Sequence, residues 1–152
     1  MDDSEKVRRI LTRHKVLAVV GLSAQWHRPS YFAAKYMQQH GYRVIPVNPM
    51  YDEILGEKCF KSLRDIPGPV DIVDCFRKSA EIPALADEAI AIGAKVLWMQ
   101  LGVKSADARR KAEAAGLEVV EDRCVKIEHG RFFGGLGGGA VNTKVVSAKR
   151  AS

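Results

Sequence analysis

The segment Val16-Leu17-Ala18-Val19-Val20, an unbroken apolar run closed by Gly21, constrains the fold more than any other part of the chain. A strand wetted on one side alternates apolar and polar residues. A run without alternation must be covered on both faces, as happens when a parallel sheet is sandwiched between helices. Such a sheet needs helical crossovers, so the chain should alternate strands with helices of ten to twelve residues.

It does. Residues 3–14 carry Val7, Ile10 and Leu11 at helical spacing and predict a short packing helix. Pro29 to His40 predict a helix with proline in its first turn and Gly41 as its stop. Arg43 to Val47 are the second strand, with Pro46 tolerated only where the ladder needs no donor. Residues 48–70 are irregular: a turn at Asn48-Pro49, a short extended piece at Ile54-Leu55-Gly56, one helical turn at Ser62–Ile66, and a break at Pro67-Gly68-Pro69. Three more strands are expected at Asp71–Phe76, Lys95–Gln100 and Leu117–Glu121. Helices over Pro83–Ile92 and from a Ser105 cap to Ala115 separate them, each stopped by glycine. The pattern is α/β: a Rossmann-like, doubly wound, mainly parallel five-stranded sheet with helices on both faces. Residues 1–129 form that domain, and 130–152 a Gly-rich, basic C-terminal tail.

Charge and cysteine usage narrow the class. The net charge is +6, but no acidic residue follows Glu128, while Arg131, Lys144, Lys149 and Arg150 do. The first 128 residues hold the other 20 basic residues against all 18 acidic ones, a net +2. A basic end on a nearly balanced domain is a solvated end, so nucleic acid is not expected as a partner. No apolar run reaches the ~18–20 residues that cross a bilayer, so no membrane role is expected. The acidic start, Met1-Asp2-Asp3-Ser4-Glu5, is unlike a secretory signal. Cys59, Cys75 and Cys124 form no C-x-x-C pair, which points away from disulfides or zinc and toward a cytoplasmic location.

In open α/β sheets ligands bind beyond the carboxyl ends of the strands, where strand order reverses. The turns there are Gly21–Ser30, Asn48-Pro49-Met50, Arg77-Lys78-Ser79, Gln100–Lys104 and Asp122-Arg123-Cys124. Four of the five carry a cation, and the first leads into a helix whose free N–H groups attract anions. A phosphorylated ligand fits, with Arg28 able to grip one phosphate and Arg77-Lys78 a second. Dinucleotide binders want G-x-G-x-x-G here and an acid ~20 residues on for the ribose. This loop reads Gly21-x-Ser23-x-x-Trp26 and the second strand ends at Asn48, which counts against NAD. No P-loop is present, and the tail's Gly135-Leu136-Gly137-Gly138-Gly139-Ala140 matches G-x-G-x-x-A outside any strand–helix unit.

Several separated blocks resemble the small stand-alone CoA-binding proteins. They include Val19-Val20-Gly21-Leu22-Ser23, Arg28-Pro29-Ser30-Tyr31, the stretch Gly41 to Pro49 and Glu53-Ile54-Leu55-Gly56. Val70-Asp71-Ile72-Val73, Phe76-Arg77, Trp98-Met99-Gln100-Leu101-Gly102 and Asp122-Arg123-Cys124 continue the likeness, which runs from about Val16 to His129. These proteins are similar to the CoA-binding domain of the succinyl-CoA synthetase alpha subunit. The resemblance implies a coenzyme A site at Gly21, Ser23, Arg28, Pro29 and Ser30, then Asn48 and Pro49, then Phe76, Arg77 and Lys78, then Gln100 and Gly102. It implies that Gly21 and Ser23 hold the pyrophosphate, the cations meet the phosphates, and Asn48-Pro49 flanks the adenosine.

Other chemistry is sparse. Trp26 either stacks on adenine or covers a helix start. His14, His27, His40 and His129 fall on helix ends or loops and are expected at the surface, with no carboxylate partner. Asp71 and Asp74, three apart on one strand, face opposite sides. Cys124 either ends a strand as a small buried residue or faces the CoA thiol. No catalytic constellation and no metal site is evident. The expected function is non-catalytic binding of CoA or an acyl-CoA, as a carrier or sensor. The alternatives are a CoA-supplying subunit of a multi-chain acyl-CoA ligase and an NAD(P)- or nucleotide-binding regulator or oxidoreductase. Partners beyond the ligand are a second copy of the chain or an enzyme subunit.

Overall fold

The computed structural model describes residues 3–134. In chain order the elements are α1 (Asp3–Arg13), β1 (Val16–Val20), α2 (Pro29–Gln39), β2 (Arg43–Val47), β3 (Glu53–Ile54) and β4 (Glu57–Lys58). There follow β5 (Ile72–Cys75), α3 (Ile82–Ala91), β6 (Val96–Met99), α4 (Ala106–Ala114), β7 (Glu118–Val120) and α5 (Val125–Phe133). Two single turns of tighter helix, Leu63–Asp65 and Ser79–Glu81, lie before β5 and α3. No helix among the described residues is long and apolar enough to cross a membrane.

Five strands form one parallel sheet in the order β2-β1-β5-β6-β7. The fold is α/β, Rossmann-like and doubly wound. The order reverses between β1 and β5, which makes the gap beyond their carboxyl ends the switch point. Side chains alternate between two cores. Leu17, Val19, Ile72 and Trp98 pack beneath α1, α2 and α5, whereas Ala18, Val20, Val73, Leu97 and Met99 pack beneath α3 and α4. That double coverage is why the strands are apolar runs.

Pro46 sits within the edge strand β2. The Val47 carbonyl accepts from Gly21 toward β1, while the Pro46 carbonyl accepts from Phe60 on the outer side. The missing Pro46 N–H therefore faces away from the ladder, where only a single bridge from Val47 to Phe60 extends the sheet. Leu55 and Gly56, expected as extended, are instead the two-residue turn of the β3–β4 hairpin. Both have positive φ, +56° and +77°, the geometry that matches strand twist. The leucine is held there by packing on the core and by the Gln38 amide, which donates to its carbonyl at 3.1 Å.

α5 was not anticipated as a helix, and it runs across residues 129 and 130, where the tail was expected to start. Two of its three buried residues, Glu128 and His129, are polar, so its inner face carries no apolar stripe. The Gly135–Ala140 motif and the rest of the basic tail lie outside the described residues.

Candidate functional site

Two hollows open beyond the carboxyl ends of β1, β2, β5 and β6 and meet at Phe76. The first, about 340 Å³, is bounded by Gly21, Ser23, Arg28, Ser30, Asn48 and Tyr51, with Gln25, Pro29, Met50 and Phe76 completing the wall. The second, about 540 Å³, is bounded by Phe76, Arg77, Lys78, Gln100, Leu101 and Val103, with Glu81 beside them. Ten of the twelve residues expected at the site line one hollow or the other. Pro49 and Gly102 line neither. The Pro49 carbonyl accepts from Lys61 at 3.2 Å, and the Gly102 N–H donates to Asp122 at 2.7 Å, so both shape the loops behind the walls.

Gly21 is required by the protein itself. Its φ is +87°, and a Cβ built on it would lie 2.3 Å from the Phe76 carbonyl oxygen and 2.9 Å from Arg77 Cδ. Absence of a side chain lets the ends of β1 and β5 converge, which sets the depth of the switch point. The Ser23 N–H donates to the buried Ser30 hydroxyl at 3.0 Å, and the Ser23 hydroxyl accepts from the Gln25 N–H at 3.0 Å. These bonds fold the loop over the start of α2. The helix N-terminus lacks a side-chain cap, because the residue at that position is Arg28. Its field is left for a ligand anion.

Asn48 ties the two loops of the first hollow together. Its side-chain N–H donates to the Leu22 carbonyl at 3.0 Å, and its oxygen accepts from the Met50 N–H at 2.9 Å. This brings to the wall Met50, which the sequence placed in a strand-end turn but not among the site residues, and Tyr51, which it did not single out; an apolar pair after a strand-end turn is the signal that could have found them.

The cations at this edge are in different states. Arg77 is held by Glu81, with Nε and one terminal nitrogen donating to the same carboxylate oxygen at 2.9 and 2.7 Å. Arg28 Nε donates to the Gln25 side chain at 3.1 Å. Lys104 lies 4.0 Å from Asp122, and Arg123 pairs with Asp3 and Glu128. Lys78 has no ion pair or hydrogen bond from its ammonium among the described residues. It is the one uncommitted cation on the second hollow.

Beneath the second hollow lies a pair of buried polar side chains. Asp74 is 1% exposed and Gln100 3%, and the Gln100 amide N–H donates to the Asp74 carboxylate. Burial drives the Asp74 carboxyl up to about 7, partly opposed by that hydrogen bond. Asp71 lies outside this pair, accepting from the Lys15 and Val16 backbone at the opposite end of the sheet.

Two of the four histidines depart from expectation, while His27 and His40 are exposed as expected. His129 is buried, with Nδ1 2.9 Å from the Tyr36 hydroxyl and its ring edge-on to Tyr36, His40 and Tyr42. Burial, with the nearby His40 and Lys15 charges, holds its imidazole down at about 4. His14 stands 3.9 Å from the Asp71 carboxylate. Trp26 is 71% exposed and edge-on to His27, so it does not cover the helix start. The three cysteines are free; Cys124 is half-buried at the start of α5.

A family model describing a CoA-binding domain matches residues 15–130. The chain belongs to that family. An uncharacterized protein of Bacillus subtilis, YneT, is 43% identical over 124 residues, covering 82% of this chain and 92% of that one. The ADP-forming acetate–CoA ligase II of Archaeoglobus fulgidus is 30% identical over 135 residues, which is 86% of this chain but 19% of the ligase. A solved structure of a hypothetical protein from Pyrococcus horikoshii superimposes with a TM-score of 0.83 at 43% identity, covering 86% of this chain and 92% of the other.

Proposed function

We propose that this CoA-binding domain holds coenzyme A or an acyl-CoA across the switch point, as a carrier or sensor with no chemical step of its own. The observation that carries the reading is the pairing of two unlike hollows at Phe76. The first offers an uncapped helix start, hydroxyls and Arg28, suited to phosphates, beside Met50 and Tyr51, suited to a base. The second offers Phe76, Leu101 and Val103 with a few polar groups, suited to a flexible amide-bearing arm. Lys78 stands free on the wall of the second hollow, and Arg77 becomes available to a phosphate that displaces Glu81. Membership of the family supports the ligand class, and the resemblance supports the twelve residues named for it.

Thermal unfolding in the presence of CoA, dephospho-CoA, ATP and NAD tests this. A ligand at a hundred times its dissociation constant adds ~2.7 kcal/mol, which raises the midpoint of a domain this size by roughly 5–10 °C. The expected order is CoA above dephospho-CoA, with NAD and ATP ineffective. Stabilisation by NAD alone would overturn the ligand assignment.

A second reading is favoured by the rim. Trp26, Met50 and Leu101, on three different loops at this edge, are 71%, 79% and 66% exposed. Apolar side chains gathered round a ligand cleft suit a covering subunit, as expected of a domain that supplies CoA to a ligase built on another chain. Co-purification of such a chain from the native host, lost in Trp26→Ser, would favour it over the stand-alone carrier.

A further inference from the structure

The second hollow contains one polar group whose hydrogen bonding is incomplete. Gln100 lines this hollow and is almost wholly buried, its amide N–H committed to Asp74. Its side-chain oxygen has no donor among the described residues. A buried amide oxygen left without a donor is costly, and native proteins rarely keep one without reason. Asp74 is itself unusual: a carboxyl on a central strand, between Val19 and Trp98, whose one hydrogen-bonding partner among the described residues is Gln100. Neither residue is needed to join the strands, since the backbone ladder does that; an apolar pair would fill the space at lower cost.

The arrangement makes sense as a device that fixes one polarity. In its ionised form the Asp74 carboxylate only accepts, so the amide turns its donor end toward it. The opposite end, an acceptor, is then held in a single orientation on the wall beside Phe76, Leu101 and Val103. We infer that Asp74 is a positioning residue: by taking the Gln100 amide N–H, it presents the Gln100 carbonyl oxygen to accept from an amide N–H of the bound ligand's pantetheine arm. This rests on the CoA reading above and adds to it which residue reads the arm, and which hydrogen-bonding sense it reads. An arm lacking that N–H leaves the buried oxygen unpaired and is rejected.

The test compares CoA with 3′-phosphoadenosine 5′-diphosphate, which keeps the nucleotide and lacks the arm, by isothermal titration. Asp74→Leu removes the acceptor that orients Gln100. It is expected to weaken CoA at least tenfold while leaving the armless nucleotide within twofold of wild type. Asp74→Asn, whose side-chain oxygen can take the same N–H but whose NH2 can also donate to Gln100, is expected to recover CoA affinity only in part. Should Asp74→Leu fail to fold, Gln100→Met serves instead, with the same arm-specific loss expected. Equal weakening of both ligands would reduce the pair to a structural role and overturn the inference, as would no change in either. If wild-type protein binds neither ligand, the CoA reading falls and the inference with it; if it binds both and the variants show no arm-specific loss, the inference alone falls.

Discussion

Two regions of this molecule have similar volume yet opposite readiness for a ligand. The first hollow of the switch point encloses about 340 Å³, and a hollow between α1 and β7, walled by Asp3, Lys6, Arg109, Glu121 and Arg123, about 370 Å³. The β7 hollow holds more cations, but they are spent. Arg109 bonds Glu121 at 2.6 Å and Glu113 at 3.2 Å, Arg123 bonds Asp3 at 3.2 Å, and Lys6 donates to the Val119 carbonyl on the open sheet edge. At the switch point the helix start is uncapped, Lys78 is free, and the Gln100 oxygen lacks a donor. Counting charges would favour the β7 hollow; unused hydrogen-bonding capacity favours the switch point. What distinguishes a binding cleft is hydrogen-bonding capacity that the protein leaves unused.

The sharpest way to break the comparison is through Gly21. Gly21→Ala must place a methyl group on the Phe76 carbonyl and hold alanine at φ +87°, so a loss of about 2–5 kcal/mol is expected in urea unfolding, together with CoA binding. Gly102→Ala is the control: φ is +85°, but nothing lies within 4 Å of the new methyl, so the cost is about 1–2 kcal/mol of backbone strain. Equal costs would mean that Gly21 serves turn geometry alone.

Titration separates the buried groups from the paired ones. Asp74, raised to about 7, binds a proton in the folded state that the unfolded chain releases near pH 4, so its contribution falls as pH rises from about 4 to 7. His129, held at about 4, stays neutral in the folded state while the unfolded chain takes up a proton near pH 6.5; its contribution is lost as pH falls from 6.5 to 4. Across their windows they amount to about 4 kcal/mol for Asp74 and about 3 kcal/mol for His129, and the two oppose each other. Asp74→Asn is expected to steepen the loss of stability on acidification relative to wild type, and His129→Gln to reverse the slope toward a loss on alkalinisation. Parallel pH–stability curves for all three proteins would show that neither group is buried as described.

Smaller effects should follow the free cation. Lys78→Ala is expected to weaken CoA by about 1.5–3 kcal/mol, the range for hydrogen bonds to charged groups, while Arg109→Ala in the β7 hollow leaves affinity unchanged. Glu81→Gln, which releases Arg77, is expected to tighten CoA a few-fold. A loss of affinity there would show that the Arg77–Glu81 pair acts as a unit in the ligand site.

Much of this architecture is legible in the residues. Pro29 and Gly41 bracket α2, Ser105 caps α4 by accepting from the Ala108 N–H at 3.1 Å, and the apolar runs place β1 and β2 to the residue. β5, β6 and β7 each come out one residue shorter at either end, where the chain leaves the ladder for a turn. α5 escapes because Glu128 and His129 face inward, paired with Arg131 and Tyr36 rather than covered by hydrocarbon. At the site, the resemblance named the ten lining residues, and position after a strand had already pointed to nine of them, all but Phe76. Their state was not legible: nothing in Arg77-Lys78 says that Glu81 occupies the first and leaves the second. Likewise, the Asp74–Gln100 pair joins residues 26 positions apart that only the β5–β6 register brings together.

Where CoA lands decides between the switch point and the β7 hollow. Backbone amide NMR of labelled protein during CoA titration would resolve it, with Gly21, Ser30 and Lys78 reporting the two hollows of the switch point and Lys6, Arg109 and Val119 the β7 hollow. Saturable shifts confined to the first group are the predicted result. Shifts confined to the second group would place the ligand at the β7 edge and contradict the account.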